Sequence, residues 1–325
     1  MAKKKHDVDI ANFNVTFGLE DKPLLSYFKE IVYPAFQAEI IREIKGKNKR
    51  YELLDCSIEN FTGKDSDFVL IGRLVKDTII ESKSERDEIG NIKEVDKKYK
   101  MAPYSIFIIF LINHRMILVK NQVGSPDYRE FGATVNYVLK EYIRERNKEI
   151  GKQKKSRETK SKMIEPYGAP TVNIANIPHL ETIKEQLKDI KIQKITIKMF
   201  PLNGTTDYKG VFGSIRKSMG EVSSKTGGLY MNSPKNKTNV EKLIGDSEGL
   251  ANFKIEGKTS GGEEIKIFDD KFREKLSIEL NDDDNLKEKA SRIFNEFSNK
   301  KELTFSDKEN EELYKKKLTE IKKLN

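Results

Sequence analysis

The sequence has 325 residues and a single cysteine, Cys56. One cysteine excludes an intramolecular disulfide and a zinc site built on several cysteines, and it suits a reducing compartment. The three histidines, His6, His114 and His179, are too scattered to indicate a metal site by their spacing. The sequence therefore predicts no bound metal and no cofactor.

Long apolar runs are also lacking. The longest, Ile106 to Ile112, is about a third of the roughly 20 residues that a membrane-spanning helix needs. After the lysines at the N-terminus the chain alternates between polar and apolar residues, unlike the apolar core of a secretory signal. We therefore expect no membrane partner and a cytoplasmic location.

Charge is what the chain has in excess. Charged residues make up 35% and hydrophobic residues 36% of the sequence, and the formal net charge is 61 − 52 = +9. Apolar periodicity is nevertheless clear in many segments, which argues against global disorder. The length is sufficient for two domains that each bury a core.

Strand-like and helix-like segments occur in both halves of the chain, which predicts the α+β class. Apolar periodicity stops between Gly151 and Pro170. We therefore predict two mixed α/β-sheet domains, at 1–150 and 168–325, joined by a basic linker at 151–167.

Several local patterns predict specific elements. The change of phase between Val8/Ile10 and the later apolar residues of the first strand predicts a bulge near Ala11. Ser125 is the predicted N-cap of the longest helix. A strand–helix–strand order after residue 170 allows a split β-α-β unit. Phe253–Glu256 and Glu264–Phe268 predict a hairpin, with Lys275–Leu280 as a third strand and the following helix covering that sheet.

The densest positive charge lies between Lys140 and Lys162, where ten Lys or Arg residues accompany four Glu residues. Such a segment can neutralise several phosphates and release their counterions. A solvated helix end followed by a linker is the alternative. The candidate nucleic-acid-binding residues here are Lys140, Arg144, Arg146, Lys148, Lys152, Lys154, Lys155 and Arg157.

A second basic stretch contains Arg216, Lys217 and Lys225 beside Gly227 and Gly228. Backbone amides in such a stretch can hold phosphate oxygens, although the spacing is not that of a P-loop and an ordinary flexible loop is the alternative. Nearby aromatic residues can either stack on unpaired bases or belong to the core. These are Tyr208, Phe212 and Tyr230.

Two patterns could carry catalysis. Asp246, Glu264 and Lys266 could hold magnesium at a scissile phosphate, but alternating acid and lysine are also common on the solvated face of a hairpin. The adjacent polar residues from Asn113 to Arg115, which include His114, could act as an acid/base group and phosphate clamp, or form a polar turn.

These patterns favour a cytoplasmic protein that binds DNA or RNA and reads mainly the backbone and shape. One alternative is a regulatory subunit that docks on a protein partner through an exposed final helix, at residues 306–325. Another is a metal-dependent nuclease. The composition also suits an accessory protein of a bacterial mobile element or antiviral system, although no motif identifies one.

Overall fold

The computed structural model describes residues 3–153, 167–201, 210–306 and 308–325, and only the backbone of residues 151–153. Two antiparallel sheets and the helices packed on them form the described part of the chain. This arrangement confirms the α+β class. Among the described residues, no helix is both long enough and apolar enough to cross a membrane.

The larger sheet joins strands from the beginning, middle and end of the chain. Its main strand order is β14-β1-β8-β7-β5-β4-β3, with β2 and β9 also paired to β1 and β6 paired to β5. The strands are β1 (Lys3–Phe17), β2 (Lys22–Pro23), β3 (Arg42–Ile44), β4 (Lys49–Asn60), β5 (Phe68–Arg86), β6 (Ile92–Met101), β7 (Tyr104–Phe110), β8 (Arg115–Lys120), β9 (Pro170–Asn176) and β14 (Leu276–Asn281).

Both faces of the larger sheet are covered by helices. Helical turns at 24–32 lead into α1 (Tyr33–Gln37), which packs on one face with α2 (Tyr128–Gln153) and α8 (Lys308–Lys322). The opposite face carries α6 (Leu286–Phe297) and α7 (Lys301–Thr304). Because both faces are buried, residues 106–110 of β7 and 68–71 of β5 are apolar at successive positions rather than only at alternate ones.

The first strand contributes apolar residues to the cores on both faces. Val8 and Ile10 belong to the core under α6, whereas Phe13, Val15 and Phe17 belong to the core under α2. Even-numbered and odd-numbered residues of one regular strand point to opposite faces. The change of phase therefore arises because both faces of the strand are covered. The predicted bulge near Ala11 is wrong, since the pairing of β1 with β8 runs through this residue without a shift in register.

Strands from both predicted halves share the larger sheet, so a division into two separate domains is not confirmed. β9 pairs with residues 11–17 of β1, and β14 pairs with residues 3–8 of the same strand. The predictions that residues 275–280 extend the C-terminal hairpin and that α6 covers it are wrong, because both belong to the larger sheet. A split β-α-β unit after residue 170 is not formed either.

The smaller sheet has the order β11-β10-β12-β13, with every neighbouring pair antiparallel. Helices cover one of its faces and bury Ile195, Ile197 and Phe253 beneath them. The strands and helices are α3 (Leu180–Leu187), β10 (Ile190–Met199), α4 (Gly210–Glu221), β11 (Gly227–Asn232), α5 (Lys237–Gly245), β12 (Ala251–Thr259) and β13 (Glu264–Phe268). The predicted hairpin of β12 and β13 is confirmed.

The chain after residue 78 forms a two-stranded ribbon. β5 continues beyond the sheet, where residues 78–86 pair with residues 92–101 of β6. Its apolar side chains, including Ile80, Ile92 and Tyr99, are exposed. We call residues 79–101 the ribbon.

The N-terminus of α2 is capped by Asp127 rather than by Ser125. The Asp127 carboxylate accepts hydrogen bonds from the backbone N–H groups of Arg129 and Glu130 at 2.9 and 2.8 Å. Glu130 in turn accepts from the backbone N–H of Asp127 at 3.1 Å, which completes a capping box. The Ser125 hydroxyl instead donates to Asn121 at 2.7 Å.

Candidate nucleic-acid interface

Three of the four basic side chains that are described in the basic segment of α2 form ion pairs on the same helix. Arg146 pairs with Glu149 at 3.1 Å and Lys148 pairs with Glu145 at 3.0 Å. Arg144 forms ion pairs with Glu141 and Glu145. These pairs are the pattern of a solvated helix face, and they reduce the charge available to phosphates. Lys140 is exposed on the same helix.

The other predicted residues of this segment cannot be placed in the same way. Lys154, Lys155 and Arg157 lie outside the described residues, as does the side chain of Lys152. Their predicted contact with nucleic acid stays a prediction.

The basic side chains of the second stretch mainly contact other parts of the protein. Lys225 donates to the backbone carbonyl of Gly18 at 2.6 Å and thereby links the region before β11 to the larger sheet. Arg216, on α4, contacts the carbonyl of Phe200 at 3.5 Å. Lys217 is exposed and 4.0 Å from Glu221.

The three nuclease candidates lie in two places. Asp246 follows α5 and lines a cavity of about 720 Å³. Glu264 and Lys266 lie on β13, where Glu264 pairs with Lys258. β12 begins at Ala251, five residues after Asp246. Lys258 lies seven residues further along this strand, at a distance of about 23 Å from Ala251. No group of three or more metal-ligating side chains was found among the described residues.

The polar residues at the turn between β7 and β8 are largely buried. Burial lowers the pKa of His114 to about 3, so its imidazole is neutral at pH 7. Its backbone has a φ of 57°, in the left-handed region typical of a tight turn. Arg115 donates to the carbonyl of Glu248 at 2.9 Å and lies over the ring of Phe305. The polar-turn alternative fits these contacts.

Arg115 also lines the cavity that Asp246 lines, together with residues of α3, α5 and α7. Its lining contains lysines such as Lys242 and Lys301, but also Glu241, Asp246 and Glu302. Positive and negative groups are thus mixed, and the cavity has no clear preference for an anion.

The strongest candidate surface is the side of the smaller sheet that faces away from its helices, which we call the open face. Burial alternates along β10, where Ile195, Ile197 and Met199 are buried while Thr196 and Lys198 are exposed or half-buried. β11, β12 and β13 alternate in the same way. One face thus forms the core and the other is accessible.

The open face is strongly basic. The pairing registers place six lysines and two glutamates on it, for a formal charge of 6 − 2 = +4. They are Lys191, Lys194, Lys198, Lys254, Lys258 and Lys266, with Glu256 and Glu264. A flat surface with this charge is complementary to a polyanion.

Glu256 lies among three of these lysines. Lys254 approaches it at 2.6 Å. The hydrogen bond from Lys254 holds the pKa of Glu256 below its ordinary range, and Lys254, Lys194 and Lys266 add favourable charge interactions. Glu256 therefore remains ionised at pH 7 and offsets part of the positive charge of the open face.

Two aromatic side chains stand on the open face. Tyr230 on β11 is 65% exposed and Phe268 on β13 is 44% exposed. Of the three aromatic residues predicted near the basic stretch, only Tyr230 is found here. Phe212 is buried against Phe253 in the core beneath the sheet, and Tyr208 is outside the described residues.

Sequence reasoning missed most of this surface. The signal was the alternation Lys194-Ile195-Thr196-Ile197-Lys198, repeated as Lys254-Ile255-Glu256 in β12. This alternation predicts strands, but it does not tell which strands lie side by side. Only the sheet order brings the lysines of β10, β12 and β13 together.

The helix predicted to dock on a partner packs against the protein's own larger sheet. Tyr314 and Ile321 of α8 are buried in the core of the larger sheet, and the Tyr314 hydroxyl donates to the carbonyl of Asp65. The apolar side of this helix packs on the larger sheet, so the expectation of an exposed final helix at 306–325 is wrong.

Comparison with protein-family models, with curated proteins and with solved structures gave no match to this chain.

Proposed function

We propose that this chain binds nucleic acid on the open face of the smaller sheet, mainly through the phosphate backbone. The observation that carries the proposal is the set of six lysines on one accessible face of a sheet. Lysine side chains in such an array neutralise phosphates and release condensed counterions. The ion-paired lysine and arginines of α2 offer less free charge, so we place the site on the sheet.

The proposal makes a quantitative statement about salt. If all six lysines contact phosphates of a single strand, the logarithm of affinity falls with the logarithm of salt concentration with a slope of about −4, at roughly 0.7 per contact. Fluorescence anisotropy with labelled DNA and RNA, single-stranded and duplex, measures this slope. Binding that is insensitive to salt contradicts the proposal.

A matched pair of variants places the site. Lys198→Glu/Lys254→Glu/Lys266→Glu reverses three charges on the open face, and Lys140→Glu/Arg144→Glu/Lys148→Glu reverses three on α2. Both change the net charge equally. We expect the sheet variant to lose at least about 100-fold in affinity at 0.1 M salt and the α2 variant to lose less than about 5-fold. The reverse order would return the site to the α2 segment.

The single cysteine favours a reducing compartment for this activity, and we propose that the protein acts in the cytoplasm. Binding through phosphates does not by itself distinguish DNA from RNA. The comparison of the two labelled strands makes that distinction directly.

A further inference from the structure

Tyr230 and Phe268 lie in one row across the smaller sheet. Tyr230 is paired with Thr196, Thr196 with Lys254, and Lys254 with Phe268. Residues directly opposite in antiparallel strands point to the same face. The four side chains therefore form a line perpendicular to the strands, with an aromatic ring at each end. We call it the aromatic row.

The length of this row follows from the sheet. Three steps between neighbouring strands at about 4.8 Å place the two aromatic positions roughly 14 Å apart. Thr196 and Lys254 form the floor between them, and neither carries a bulky ring that would block the path. A flat platform of this size is comparable with those on which aromatic residues of other four-stranded sheets stack two or three bases.

A charged row runs beside the aromatic row. It consists of Asn232, Lys194, Glu256 and Lys266, which are paired across the same four strands. Alternate residues of a strand are about 7 Å apart, so this is the separation of the two rows. Lys198 lies on the other side of the aromatic row. A strand whose bases occupy the aromatic row thus has ammonium groups beside it for its phosphates.

The chemistry of the ligand follows from the exposed rings. The faces of bases in a duplex are covered by neighbouring base pairs, whereas an unpaired base offers a free face to an aromatic side chain. A ligand that uses both rings must therefore present unpaired bases. Duplex nucleic acid can use the lysines but not the rings.

We propose that the open face binds a single strand that crosses the sheet between β11 and β13 and stacks its bases on Tyr230 and Phe268. This inference rests on the proposed function and names its ligand class. Stacking is tolerant of base identity because every base has an aromatic face. The Asn232 amide supplies a polar group for base edges along the path.

The test uses a fluorescein-labelled single-stranded oligonucleotide of about ten nucleotides, a duplex of the same length, and the variants Tyr230→Ala and Phe268→Ala. We expect each variant to weaken single-strand binding roughly 5- to 150-fold. Duplex binding and the salt slope should change little, because no phosphate contact is removed. Tyr230→Phe keeps the ring and should retain the affinity.

Tyr99→Ala is the matched control, because Tyr99 is an exposed aromatic residue on the ribbon. It should leave binding unchanged. If Tyr230→Ala and Phe268→Ala leave single-strand binding intact while the lysine variants of the sheet abolish it, stacking is refuted and the proposed function stands. If the lysine variants also bind normally, both proposals fail. Circular dichroism verifies that each variant is folded.

Discussion

The ammonium group of Lys194 lies over the ring of Tyr230, with Nζ 5.0 Å from the ring centroid. This contact joins the charged row to the aromatic row. A cation in this position gains cation–π attraction and covers one face of the ring, so a base that stacks on Tyr230 uses the other face or displaces the ammonium group.

We predict that Lys194 and Tyr230 are coupled in binding. Lys194→Gln should weaken binding and reduce the salt slope by about 0.7, whereas Tyr230→Ala should weaken binding at an unchanged slope. The double variant should deviate from additivity by about 0.5–1 kcal/mol. Anisotropy titrations of the four proteins at several salt concentrations give both quantities. Strict additivity would show that the contact has no role in binding.

Glu256→Gln is expected to strengthen binding. The carboxylate is ionised at pH 7, with its pKa lowered further by the hydrogen bond from Lys254, and its charge repels that of a phosphate. Its removal should raise affinity about two- to five-fold at about 0.1 M salt. Glu288→Gln, which removes an acid from the capping box of α6, is a control with the same change of charge far from the open face. A lower affinity for Glu256→Gln would instead assign this carboxylate a direct contact with bases.

Glu130 is predicted to make stability depend on pH. Burial acts to raise its pKa, but hydrogen bonds from Tyr51, the Asp127 backbone and Lys76 outweigh burial and lower the pKa below the ordinary 4.5. The Tyr51 hydroxyl is 2.5 Å and the Lys76 ammonium 3.3 Å from the carboxylate. Because the pKa is depressed in the folded state, this stabilisation is present above pH 4.5 and is lost as the pH falls through the folded-state pKa.

Glu130→Gln should therefore destabilise the protein by about 1–3 kcal/mol at pH 7 and by less at low pH. Urea denaturation at neutral and acidic pH measures the difference. Glu149→Gln removes an exposed acid of the same helix and should change stability by less than about 0.5 kcal/mol. An equal loss for Glu130→Gln at both pH values would contradict the assigned role of the charge.

The ribbon should be dispensable for folding. Beyond Thr78 it pairs only with itself, and its apolar side chains are exposed rather than part of a core. An isolated two-stranded hairpin contributes little stability in water. Replacing residues 81–98 with Asn-Gly should keep the free energy of unfolding within about 1 kcal/mol of the original. A larger loss would show that the ribbon packs on the body of the protein.

Local features were predictable where neighbouring residues determine them. The β12–β13 hairpin follows from two short apolar runs and the turn between them, and it is confirmed. The helix predicted to start at Ser125 is confirmed as a helix, which begins at Tyr128. In both cases the decisive contacts join residues close in sequence.

The remaining fold depends on contacts between distant residues. The segment 276–281 has the pattern of a strand, but nothing in it specifies β1 rather than β12 as its partner. The candidate site depends on the same kind of information. Lys194 and Lys266 are more than seventy residues apart in sequence. They lie in one row only because β12 lies between their strands and pairs with both. The ion pairs on α2 likewise depend on the helix, which brings residues three positions apart into contact.

The position of β14 beside β1 has a consequence for synthesis on the ribosome. Lys3 pairs with Asn281, so the beginning of the first strand lacks this edge partner until residue 281 has been made. An unpaired strand edge invites pairing with other chains, and lysine side chains on such an edge discourage it. Lys3, Lys4 and Lys5 occupy this part of β1. Before β14 is made, the charges of these lysines disfavour pairing of this edge with other chains.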